Sequence, residues 1–456
     1  MSTTEKSYWL KSGLFSFFEK GSVFLFGFGS FFFLVRELTP EAFGAWVVFL
    51  ATASFIEVGR AGLLQNAVIK YLATCEAKDY GKISSASLFI NVSLTLFSVG
   101  FLLIFAKGLS HWLNFPELYE LFYIYAITTA FLIPMHQFNF IQQANLDFRG
   151  IFWSNFTKQG LFFAFVSIYY FGPWQLEILA LAKFQVLTAF AGASVSYFFA
   201  KPYLKFDRMI DKHWVLTLFH YGKYVFGTNL SAMLYKTIDK FMLSNLSIGA
   251  TAAVSVYEAA IRVTNLAEVP TFSVASVVFP QGAKQIETGG KPAIKILYEK
   301  SVGAILAIIA PFLIFVLLFP EFIIMIIAGE QYIESAGILR FTILYGLFLP
   351  FAIQFGTVLD SMGRPKINFL FTVFGAILNV FFNYIFIINY GIVGAAYGTL
   401  TTYGVTFVLN QFVLYKILDI KAYRAFPYMI GFYKEGYQML LVFLQQRSVA
   451  KEQKLK

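Results

Sequence analysis

Charge is scarce in this chain. Asp, Glu, Lys and Arg make up 13% of its 456 residues, about half the share found in an ordinary soluble protein. Cysteine is nearly absent, and the single Cys75 excludes an internal disulfide and a thiolate metal cluster. The four His residues (His111, His136, His213 and His220) stand at no metal-ligand spacing. A paired-His zinc motif, a nucleophile elbow and a phosphate-binding glycine loop are all missing. No metal, cofactor or catalytic centre is therefore expected. Nor is a cleavable signal peptide, because the first apolar run lacks a small-residue cleavage site and others follow it.

Apolar mass takes the place of charge. Hydrophobic residues make up 58% of the chain, and 57 residues are Phe. A water-soluble core has no use for so much, so lipid is the solvent for most of the chain. A helix crossing a bilayer needs about 20 mostly apolar residues. About twelve such runs can be read, at 13–35, 42–66, 83–106, 117–141, 152–172, 175–200, 214–235, 250–280, 299–320, 332–359, 367–389 and 392–416. Stretches such as ILAIIAPFLIFVLLF do not alternate, which excludes a β-barrel. The fold class expected is an all-α integral membrane protein.

Most of the 35 Lys and Arg fall in alternate loops and at the two ends. Only Arg36, Lys107, Lys236 and Lys240 fall in the opposite set of loops. Because Lys and Arg are retained on the cytoplasmic side, both termini are expected inside. The net charge of +10 then reflects topology and attraction to anionic lipid, not nucleic-acid binding.

The basic connection KPYLKFDRMIDKH divides the chain into an N-terminal lobe, 1–205, and a C-terminal lobe, 206–417, of six spans each. An even number of spans gives both halves one orientation, so a repeat between them is parallel. The turns LTPEAFGAW and LSIGATAAVSVY support it. Trp46 and Tyr257 match, and at the same interval beyond them come Glu57 in FIEV and Glu268 in LAEV. The tail, 418–456, is basic and aromatic and suits the cytoplasmic face of the membrane. From Arg447 onward it is expected to be disordered.

The ordered segments RELTPEAFGAW, EVGRAGLLQNAVIKYLA, TIDKFMLSNLSIGATAAVSVYEAAIR, VVFPQGAK, AGEQYIESAGILR, SMGRPK and YGIVGAAYGTLTT carry a family likeness. Together they resemble the lipid-linked oligosaccharide flippases of O-antigen, lipopolysaccharide and capsule synthesis, in the MOP superfamily that also holds the MATE exporters. The likeness runs to about residue 416. It implies two parallel-repeat six-helix lobes around a central cavity that opens alternately to each side. It further implies a polyprenyl-pyrophosphate-linked oligosaccharide as cargo, a bacterial inner membrane as location, a polysaccharide polymerase as partner, and a monomer.

An ionised side chain inside a bilayer costs a few kcal/mol or more, so those retained need a partner or a wet cavity. Arg60 and Arg262, with Lys20 and Lys223, are the candidates to hold the cargo's pyrophosphate, since Arg grips phosphate oxygens with a charged fork. Glu19, Glu57 and Glu268 are candidates to balance that charge and to bind a coupling H⁺ or Na⁺. The resemblance matches Glu57, Gly59, Lys70 and Arg262 to family positions; Arg60 departs from the pattern. Lys158, Lys183 and Arg340 are close enough to span ends to snorkel. Glu258 and Arg262 are spaced as a helix pair, and Asp239 is read as a packing residue. Asn139, Gln142, Gln143, Asn229, Asn379 and Asn383 either line a sugar path or bond neighbouring helices. His136 and His220 are candidates to titrate in the cavity. A MATE-type cation antiporter would need a more acidic cavity. A membrane glycan ligase or polymerase would keep its chemistry in a sizeable outer loop, which the spans leave no room for.

Overall fold

A computed structural model of the chain describes residues 3–246, 250–435 and 437–438. Its long helices are α1 (Thr3–Glu37), α2 (Pro40–Thr74), α3 (Ala77–Trp112), α4 (Leu118–Ala144), α5 (Arg149–Phe171), α6 (Ile178–Ala200) and α7 (Lys212–Leu246). There follow α8 (Ala250–Thr264), α9 (Glu268–Thr288), α10 (Gly290–Leu318), α11 (Pro320–Ile327), α12 (Ser335–Tyr345), α13 (Leu349–Ser361) and α14 (Pro365–Leu418). No strand occurs among the described residues.

Seven helices among the described residues are long and apolar enough to cross a membrane. The longest, α14, has 54 residues. At about 1.5 Å per residue it would reach roughly 80 Å as one rod, far beyond a hydrocarbon layer of about 30 Å. It breaks at Gly391, whose φ of 59° and ψ of −134° suit only a residue without a Cβ. The runs 367–389 and 392–416 are therefore two crossings. Large apolar side chains such as Ile104, Phe171 and Phe198 point outward, which is stable only against lipid. The protein is an all-α, multi-pass membrane protein.

The chain forms two compact units, Met1–Glu258 and Ala259–Lys456. In the first, α2 lies along α7, α6 packs on α4 and α5, and α1 packs on α5. Leu63, Leu64, Ala67 and Val68 of α2 share a core with Leu218 of α7. The backbones approach so closely that a Cβ on Gly222 would overlap the carbonyl of Leu63. The sequence divide at 205/206 thus falls inside this unit, because α7 belongs by packing to the helices before the linker. In the second unit, α9 packs on α10 and α13, while α12 and α13 pack on α14.

One loop expectation needs correction. Lys236 and Lys240 are helical, because α7 continues past its apolar run to Leu246. In the tail, residues 425–435 are helical and dock on α10. Ala425 is buried there, close to Gly303, and the Tyr433 hydroxyl donates to the carbonyl of Ala307 at 2.8 Å. The stretch from Arg447 lies outside the described residues.

Candidate functional site

Glu57 sits midway along α2, a helix started by Pro40 and capped by the Thr39 hydroxyl, which accepts from the Ala42 amide. α4 supplies its partners. The Tyr125 hydroxyl lies 3.4 Å from Glu57 Oε1 and also donates to the Ala53 carbonyl at 3.1 Å. His136 Nε2 lies 3.6 Å from Glu57 Oε2. Pro134, two residues earlier, removes one backbone hydrogen bond from α4 and so loosens the turn that aims the imidazole. The His136 and Glu57 side chains are 23% and 29% exposed, and the His136 Nε2 that faces the carboxylate is itself buried. Such a carboxylate–imidazole pair can hold one proton between two bases.

A second carboxylate, Glu19 of α1, is buried and accepts from the Asn155 amide of α5 at 3.0 Å. Nearby, Asn139, Ser154, Ser196 and Gln142 tie α4, α5 and α6 together. Both Ser hydroxyls donate to Asn139 Oδ1, and Gln142 Nε2 donates to Ser196 Oγ. For Asn139 and Gln142 the helix-bridging reading holds. Gln143 does the same between α4 and α2 by accepting from Gln65 at 3.2 Å.

Near the far end of α7 a denser charged cluster is buried. The Tyr257 hydroxyl donates to Asp239 Oδ2 at 2.6 Å, and Lys240 Nζ pairs with Glu258 Oε2 at 2.7 Å. Glu258 is therefore paired across helices, α7 to α8, and not confined to the one-turn partner its spacing suggested. Asp239 does pack, through a fully buried Tyr257.

Of the cargo candidates, Lys223 is exposed on α7 and Arg262 is half-buried on α8. Arg60 lies in α2 and Lys20 in α1, but their side chains lie outside the described residues. Glu268 opens α9 and is half-buried. Beside it, Tyr345 donates to Asn265 Oδ1 at 3.3 Å and stacks on Tyr403 with centroids 4.9 Å apart. On α14, Asn379 and Asn383 are fully buried one turn apart, and the Asn383 amide donates to the Asn379 carbonyl. Arg340 meets Glu321 at 2.6 Å, with both side chains about half exposed.

Residues 33–337 match the family described as polysaccharide biosynthesis protein. The chain belongs to that family. An uncharacterized membrane protein of Methanocaldococcus jannaschii is 29% identical over 221 residues, 48% of this chain and 43% of that protein. The probable low-salt glycan biosynthesis flippase Agl15 of Haloferax volcanii is 26% identical over 242 residues, 53% of this chain and 49% of that protein. These matches span about half the length of the two relatives. Among solved structures, the lipid II flippase MurJ in an inward closed conformation aligns with a TM-score of 0.75 at 14% identity, covering 95% of this chain and 92% of that one. A multidrug resistance MATE family transporter of the MOP superfamily aligns at 0.70 and 16%, covering 86% and 94%. The chain thus shares its fold with these two proteins.

Sequence patterns single out Glu57 and His136 separately but do not join them. Tyr125, Asn155 and the Lys240–Glu258 pair were missed altogether as partners. Each lies on a different helix from its partner, so no i, i+3 or i, i+4 pattern announces it.

Proposed function

We propose that this protein is a transporter that flips a lipid-(pyro)phosphate-linked oligosaccharide from the cytoplasmic to the outer leaflet by alternating access. The supporting observation is the family match over residues 33–337 on a chain with the MOP fold. The charges kept inside the membrane suit such a cargo, because a bare pyrophosphate cannot cross a low-dielectric layer. In this reading Arg60, Arg262, Lys20 and Lys223 hold the pyrophosphate. Glu19, Glu57 and Glu268 take the coupling H⁺ or Na⁺, and the Glu57–His136 pair makes H⁺ the natural choice at that site. In this reading the lobes are the sequence halves 1–205 and 206–417, and the packing of α7 on α2 is a contact that their parting has to open. The cargo is a precursor of a surface glycan such as O-antigen or capsule, the membrane is a bacterial inner membrane with both termini cytoplasmic, and a polysaccharide polymerase takes the product. The role is transport and not catalysis.

Deletion of the protein tests this. Lipid-linked glycan should accumulate on the inner leaflet while the surface glycan disappears; normal surface glycan without precursor build-up would sink the proposal. Arg60→Ala and Arg262→Ala should each abolish export with folded protein still in the membrane. A MATE-type exchange of organic cations is the second reading, favoured by the MATE fold match. Efflux of a fluorescent cation from proteoliposomes under a proton gradient would establish it against the first.

A further inference from the structure

A cavity of roughly 430 Å³ opens at the basic-loop end of the first unit, where α2 finishes and α7 begins. It is a shallow depression, wide open to its surroundings. Tyr71 of α2 lines it together with His213, Leu216, Thr217, His220 and Tyr221 of α7. The five α7 positions recur at helical spacing and form one face. A membrane helix would ordinarily fill such a face with Leu or Val, and here two imidazoles, a phenol and a hydroxyl occupy it instead.

The ammonium nearest the lining belongs to Lys70. Lys70 Nζ stands over the Tyr221 ring at 4.5 Å and the Tyr71 ring at 5.4 Å. These cation–π contacts hold it beside the cavity without neutralising it, and it pairs with no carboxylate among the described residues. No lining residue is acidic. The nearby Asp211 carboxylate is turned to the chain start of α7, accepting from the His213 amide at 2.9 Å. His220 Nδ1 is 2.8 Å from the Leu216 carbonyl. Only a protonated Nδ1 can make that bond, so Nε2 of the neutral ring is left as an acceptor. Trp214 meets the Tyr71 ring edge-on with centroids 5.8 Å apart.

The Lys70 ammonium favours an anion, and flat aromatic rings with a hydroxyl and an imidazole acceptor suit the face and hydroxyls of a sugar. We propose that this cavity is a docking site for a phosphate-linked sugar headgroup, the place where cargo is first held before it reaches the charges deeper in the helices. The proposal rests on the flippase reading and names a binding site that reading does not contain.

The test uses the full-length protein in phosphatidylcholine nanodiscs, with Trp214 fluorescence as the local readout. Farnesyl-diphosphate-linked N-acetylglucosamine should give a saturable change that Trp214→Phe removes. Inorganic pyrophosphate should bind more weakly. Lys70→Ala and His220→Ala, both at exposed positions, should each weaken binding of the sugar probe at least about tenfold, with melting temperatures unchanged. Wild-type affinity in both variants overturns the site. So does an equal fluorescence change on moving to nanodiscs of phosphatidylcholine and phosphatidylglycerol in equal parts without probe, since the ligand is then an ordinary lipid headgroup. The two proposals fail separately. A deletion strain that exports its glycan normally removes the flippase reading. Unweakened binding by the variants, in a protein whose deletion does accumulate precursor, removes only the docking site.

Discussion

α2 and the α8–α9 segment carry the same short sequence with one telling difference. EVGR in α2 becomes EVPT at the start of α9, so Gly59 is matched by Pro270. α2 runs unbroken for 35 residues. Its counterpart is a 15-residue helix, a 3₁₀ turn at Asn265–Ala267 and then a 21-residue helix. Proline explains the break, because it has no N–H for the Leu266 carbonyl and its ring crowds that turn. Glycine explains the continuity differently. Without a Cβ, Gly59 leaves room for the Phe226 ring of α7, which would lie 3.3 Å from any Cβ placed there. One residue pair thus leaves the first half's Glu57 within continuous α-helix and the second half's Glu268 just after a tightened 3₁₀ segment whose flanking residues stay helical.

The largest way to break this comparison is Gly59→Pro. It should impose the second half's turn on α2, cost about 3 kcal/mol or more, and lower the thermal midpoint of the detergent-solubilised protein markedly. It should also part Glu57 from His136. An unchanged midpoint would mean that α2 does not depend on its continuity. Next comes the contrast between two ion pairs. Lys240→Met leaves the 2%-exposed Glu258 carboxylate without its ammonium, which should cost about 3 kcal/mol. Arg340→Ala at the half-exposed Glu321 pair should cost less than about 1 kcal/mol. Similar melting shifts for both would contradict the difference in burial.

Pro270→Ala should heal the break and restore a donor to the Leu266 carbonyl, with a stability change of about 1 kcal/mol. Slower amide exchange at 266–271 is the measurement, and unchanged exchange would show that something besides the proline holds the turn. The smallest effect belongs to the α4–α5 turn. There Arg149 Nε and Nη2 donate to Asp147 at 2.9 and 2.8 Å and hold its carboxyl below the ordinary carboxylate range. A depressed carboxylate stabilises fully above its unfolded pKa of 3.8 and loses that contribution as pH falls through the lower folded value. The wild-type midpoint should therefore fall on acidification below about pH 4 by more than that of Asp147→Asn. Parallel falls would show that the turn is held by other contacts.

Much of the fold was legible in the sequence. The runs 367–389 and 392–416 were separable at Gly391 because apolar length and a glycine are both local signals. The matched Glu57 and Glu268 were legible too, since acidic residues are rare in such spans. The docking of residues 425–435 on α10 was not, because it depends on Gly303 offering a smooth surface many residues away. The membership of α7 in the first compact unit was equally hidden, since it rests on the close approach of Gly222 to Leu63.

The sequence by itself determined that this protein lives in lipid as a bundle of helices with a few costly charges inside. It could do so because hydropathy and helix breaks are properties of consecutive residues. The tertiary structure alone decided which charges meet: Glu57 with His136, Lys240 with Glu258, and Lys70 with two tyrosine rings beside a cavity. Ion pairs in hydrogen-bond contact and cation–π contacts need their groups within a few ångströms of each other. Only the packing of separate helices brings their partners that close.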